Sequence, residues 1–86
     1  SLTNNFIDNL SELLNLHKKN RDILFINIIF YLSNLYFKNL KDQNIFKNDK
    51  IFELKSFVFS NLNHYLTLNL NQNSLINTIN KKLNYG

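Results

Sequence analysis

"ILFINIIFYLSNLYF", Ile23 to Phe37, decides the fold: 12 of its 15 residues are apolar or aromatic. A membrane span, a buried helix and an exposed sticky surface would all be written this way. Fifteen residues before Lys38 fall short of the roughly 20 that cross a bilayer, and Asn27 and Asn34 interrupt them. A helix lying in a headgroup layer would carry a broad charged face. Here the polar positions Asn27, Asn34, Lys38 and Lys41 fall on one narrow stripe of a 3.6-residue period. The stretch therefore reads as a helix of residues 21–41, buried on most sides and continued to Lys41 without Pro or Gly to stop it.

Upstream, Phe6, Ile7, Leu10, Leu13, Leu14 and His17 recur at intervals of three and four, which predicts a helix over 3–19 capped by Thr3 or Asn4. Lys18 and Lys19 in its last turn suit the helix dipole, and Asn20 is placed to cap the helix that follows. Downstream, "DQNIFKND" (42–49) reads as a connector whose Ile45 and Phe46 tuck against the core. Ile51, Leu54, Phe57, Val58, Leu62, Tyr65 and Leu66 predict a third helix over 50–67, capped by Asn48 or Asp49, with Phe52 and Phe59 widening its apolar face. "LTLNLNQN" alternates like a strand, but no second alternating run exists to pair with it, so a helix end and a linker fit better. Asn73 then caps a short helix over 74–84 carrying Leu75, Ile76, Ile79 and Leu83.

The composition bounds the rest. A single core is the ceiling for 86 residues, which bury about 60–65 % of their unfolded surface. Without cysteine there is neither a disulfide framework nor a thiolate metal site, as suits an intracellular protein. The chain has no methionine and so reads as a helical domain excised from a longer protein. Its many Asn, Ile, Lys and Phe residues, with no Ala or Pro, are those of an AT-rich coding sequence. The asparagines interleave with periodic apolar residues and so do not form a low-complexity tract.

Nothing in the sequence names a reaction. His17 and His64 have no His or Cys at ligand spacing, and neither a metal nor a cofactor is expected. Asp8 and Glu12 share a helix face, but it is the polar one, where the desolvation that tunes a catalytic carboxylate is missing. No nucleophile elbow or zinc pattern occurs, and one terminal glycine cannot build a phosphate cradle. The net charge of +4 is carried by lysines at expected helix ends, with Lys18, Lys19, Arg21, Lys38 and Lys41 as candidate phosphate contacts. Base readout usually draws on arginine, and Arg21 is alone.

With "FIDNLSELLNL" and "ILFINIIFYL" as its leading helices, the chain resembles the AP2-coincident C-terminal domain of apicomplexan AP2-type transcription factors. The resemblance covers the whole chain as length, composition and helix count. It implies a nuclear accessory domain of a DNA-binding regulator that contacts protein, DNA being held by a separate AP2 domain.

The fold expected is all-α: a compact four-helix bundle, up-down or orthogonal, with helices one, three and four packed around the second. Its core would take Phe6, Leu10, Leu13, Leu14, Leu24, Ile28, Tyr31, Leu32, Leu35, Leu54, Phe57, Val58, Leu62, Leu66, Ile76 and Ile79. Three short helices cannot cover the whole girdle of the second, so Phe25, Phe30, Tyr36 and Phe37 are the candidate interaction surface. The function expected is non-enzymatic binding of a protein partner or of a second copy, with weak nucleic-acid binding as the alternative and no membrane.

Overall fold

The computed structural model describes all residues from Ser1 to Gly86. Four helices follow one another: α1 (Leu2–Asn20), α2 (Ile23–Asp42), α3 (Asn48–Leu68) and α4 (Gln72–Tyr85). Their connections are too short for crossovers, so each helix turns back along the last. The chain is thus an up-down-up-down bundle measuring 37 × 20 × 20 Å.

Local chemistry sets each boundary: α1, α3 and α4 start one or two residues upstream of where the sequence places them, α2 starts two residues later, and every helix ends one residue later. Ser1, not Thr3 or Asn4, caps α1 by accepting from the Asn4 amide at 3.2 Å. Asn20 is still helical, and its amide donates to the Leu16 carbonyl. The turn is made by Arg21 in the left-handed region (φ 54°), and Asp22 caps α2 by accepting from Leu24 N–H at 2.9 Å. Lys47 precedes α3 without a side-chain cap, so Asn48 and Asp49 are first-turn residues. Asn69, also left-handed, ends α3, and Asn71 rather than Asn73 caps α4 through Ser74 N–H.

The helices form a closed square. α1 packs on α2 and α4, α3 packs on α2 and α4, and the backbones of the diagonal pairs stay apart. The second helix is therefore one corner and not a spine surrounded by three others. The core runs down the centre and takes Phe6, Leu10 and Leu14 from α1, Ile29, Tyr36, Phe37 and Leu40 from α2, Leu54, Val58 and Leu62 from α3, and Leu75 and Ile79 from α4. Ser33 lies fully buried among them, its hydroxyl satisfied by donating to the Ile29 carbonyl at 2.7 Å.

The expected core holds on α1 and α3, where Phe6, Leu10, Leu14, Leu54, Val58 and Leu62 are all buried. On α2 it fails, because the helix presents the face made by Ile29, Ser33, Tyr36, Phe37 and Leu40. Leu24, Tyr31 and Leu35 are exposed, and Ile28 and Leu32 are only half-buried. Leu13, Leu66 and Ile76 sit at the core's edge, whereas Phe57 is half-buried outside it, beneath the Lys82 ammonium. Ile45 and Phe46 do not tuck inward: both are exposed on the α2–α3 connection, as is Phe52 on α3.

Candidate interaction surface

Only five of the 20 residues of α2 are buried. Because α4 lies across the diagonal, nothing covers the side of α2 that faces away from the core. Helical periodicity lines Leu24, Ile28, Tyr31 and Leu35 along that outer side, at intervals of four, three and four. Leu24 is 53 %, Tyr31 69 % and Leu35 39 % exposed, and Ile23 at the helix start is 70 % exposed. Asn27, Asn34, Lys38 and Lys41 do face solvent, as the sequence indicates, but the solvent face is wider than that stripe and includes the apolar row beside it.

The row continues toward α1 through a shallow groove of about 90 Å³, where Leu32 and Leu35 face Leu2 and the amides of Asn5, Asn9 and Asn39 edge the rim. No charged side chain lines this groove. The surface is thus apolar at its centre and amide-rich at its margin, as protein interfaces commonly are.

Of the aromatic residues singled out from the sequence, two leave the surface altogether. Tyr36 stacks on Phe6 with ring centroids 4.3 Å apart, Phe37 meets both edge-on, and both residues are buried. The Tyr36 hydroxyl shares a 2.8 Å hydrogen bond with Thr3 Oγ1, and burial raises its pKa above the usual tyrosine value despite that bond. Phe30 is half-buried and meets Phe59 edge to face with ring centroids 5.5 Å apart, closing the α2–α3 seam, and Phe25 is half-buried near the start of α2. The sequence reading missed Leu24, Tyr31 and Leu35 as surface residues, having assigned them to the core.

The candidate basic residues separate into two groups. Lys18, Lys19 and Arg21 stand at the α1–α2 turn, whereas Lys38 and Lys41 lie near the other end of a 20-residue helix, about 25 Å away. Antiparallel packing brings Lys47, Lys50, Lys81 and Lys82 to that second end as well. There Glu53 pairs with Lys82 at 3.0 Å and Lys50 at 3.4 Å, and the hydrogen bond from Lys82 is the main reason its carboxyl titrates below its ordinary value. Lys50 also donates to the Gly86 carbonyl.

At the first end, a polar cleft of about 280 Å³ opens between the end of α1 and the start of α4, lined by His17, Lys18, Arg21, Tyr65 and Gln72 among others. Gln72 donates to Asn15 at 2.6 Å, while its Oε1 is buried without a partner. Asp8 and Glu12 are exposed, His64 is exposed, and nowhere do three His, Asp or Glu side chains gather as metal ligands would. By length and composition α2 is long and apolar enough to cross a membrane, its 20 residues extending beyond the 15 first counted, yet in this bundle it packs on α1 and α3.

Comparison with family models, curated proteins and solved structures yields no match. The resemblance to the AP2-coincident domain accordingly rests on length, composition and helix count.

Proposed function

We propose that this chain is a non-enzymatic interaction module whose binding surface is the outer face of α2. The observation that carries the reading is the unbroken apolar row Leu24, Ile28, Tyr31, Leu35 on the uncovered corner of the square, with Ile23 beside it. Large side chains left in water at such exposures cost a small domain solubility, and contiguous patches of this kind mark interfaces. The resemblance noted in the sequence implies a module that works beside a DNA-binding domain in a nuclear regulator.

The test is capture by immobilised wild-type chain against a Tyr31→Lys/Leu35→Lys double variant, whose fold is checked by circular dichroism. Proteins retained by the wild type alone support the face. The same set retained by both refutes it.

A second reading, nucleic-acid contact, is favoured by the gathering of six lysines at the α2–α3 end of the bundle. Asp42, Asp49 and Glu53 stand among them, so such contact would be weak and would fall steeply with salt. No retardation of duplex DNA at low ionic strength would dispose of it.

A further inference from the structure

We infer that the occupant of the α2 face is a second copy of this chain, packed antiparallel across a two-fold axis. The inference rests on the interaction reading above and names its partner.

Three features of the row support it. Its spacing is palindromic: four, three and four residues separate Leu24, Ile28, Tyr31 and Leu35 in either direction. A two-fold axis through the middle therefore sets Leu24 of each copy against Leu35 of the other, and Ile28 against Tyr31, with no position left over. That self-matching is what an isologous interface requires, and intervals of three and four are those at which side chains of paired helices interlock.

Next, the margin is self-complementary. Asn27 and Asn34 lie on one flank of the row. The same axis brings Asn27 of one copy beside Asn34 of the other, where each amide offers both a donor and an acceptor. No charge sits within the row to select a foreign partner.

Both ends of the bundle are basic, with Lys18, Lys19 and Arg21 at one and the gathered lysines at the other, so the copies repel in either direction and charge leaves the direction to the pattern of the row. Finally, the available area is enough for a weak pair. The exposed parts of Ile23, Leu24, Tyr31 and Leu35, with the half-buried Phe25, Ile28 and Leu32, amount to on the order of 500 Å² per copy, or 1,000 Å² for the pair. That area lies below the range of stable interfaces and fits a weak, reversible dimer.

Sedimentation equilibrium from about 10 µM to 1 mM should show the mass rising from 10.3 kDa toward twice that value. Salt should strengthen the association, since each copy carries +4 and screening removes their repulsion. Tyr31→Lys should hold the chain monomeric throughout.

The absence of cysteine allows the register to be read directly. Under mild oxidation, a mixture of Leu24→Cys and Leu35→Cys chains should cross-link. Either variant alone should not, because like positions are offset by about 16 Å. A wild type monomeric at 1 mM in high salt overturns the dimer, and if its protein capture still depends on Tyr31 the interaction reading survives that failure. Cross-linking of Leu24→Cys alone overturns the antiparallel register. Binding of the monomer to phosphatidylcholine vesicles through Tyr31 reassigns the face to lipid.

Discussion

Replacing Ile29 by alanine tests the orientation of α2, and the effect can be worked from burial. Ile29 is fully buried on the inner face. Removing three buried carbons at about 0.8 kcal/mol each forfeits about 2.5 kcal/mol. A residual cavity of about 50 Å³, at about 24 cal/mol per Å³, adds about 1 kcal/mol. The loss of about 3.5 kcal/mol compares with a total of about 4–13 kcal/mol for a domain of this size. With a urea slope of about 1–1.5 kcal/mol per M, the midpoint should fall by about 2.3–3.5 M. The neighbouring Ile28 is only half-buried, so Ile28→Ala should cost under about 1 kcal/mol. Both variants are unfolded in urea, followed by far-ultraviolet circular dichroism, at a chain concentration low enough to exclude dimers. Equal losses, or a larger loss for Ile28→Ala, would mean that α2 is rotated from the position described.

Tyr36→Phe removes the hydrogen bond to Thr3 and should cost about 0.5–1.5 kcal/mol at neutral pH by urea titration. Because the folded pKa of Tyr36 is raised, its stabilisation is complete below the ordinary tyrosine value of 10.0 and is lost as pH rises through the folded value, so the variant should show a shallower alkaline decline than the wild type. Glu53 titrates low when folded, so its contribution holds above its ordinary value of 4.5 and disappears as pH falls through the folded one; Glu53→Gln should lower thermal stability slightly at pH 7, converge with the wild type in acid, and so show a flatter profile between. Arg21→Gly relieves a left-handed residue at the end of α1 and should raise the melting temperature by a few degrees, for a gain of about 0.5–1 kcal/mol. Asn71→Ala removes the cap of α4 and should lower stability by about 1 kcal/mol in the same melt.

How much of this was legible in the sequence varies with the contrast along each helix. In α1 and α3 polar residues mark the outer side, so Leu10, Leu14, Val58 and Leu62 could be assigned inward from periodicity alone. In α2 the apolar residues go most of the way round, and a period cannot say which of several apolar rows is inside. Leu24, Tyr31 and Leu35 look more like core than Ser33 does, yet Ser33 is the buried one because its hydroxyl is satisfied by its own helix at the Ile29 carbonyl. The candidate surface inherited that rotation: a partly uncovered α2 was foreseen, while Tyr36 and Phe37 were placed on it and Leu24, Tyr31 and Leu35 were not. Helix ends came within three residues, since Asn is frequent enough here that several neighbouring positions offer an equally good cap.

Three of the four sides of the square join helices that are neighbours in the chain, and only the contact of α4 with α1 spans the full sequence. A topology so local implies fast assembly, on the microsecond-to-millisecond scale of small helical bundles. It also singles out the closing side. α4 is the shortest helix, with only Leu75 and Ile79 buried, so its detachment should be the lowest-energy opening of the native state. Amide hydrogens of α4 should then exchange ahead of those in the other three helices, and each such opening would bring Leu10 and Leu14 briefly into contact with water.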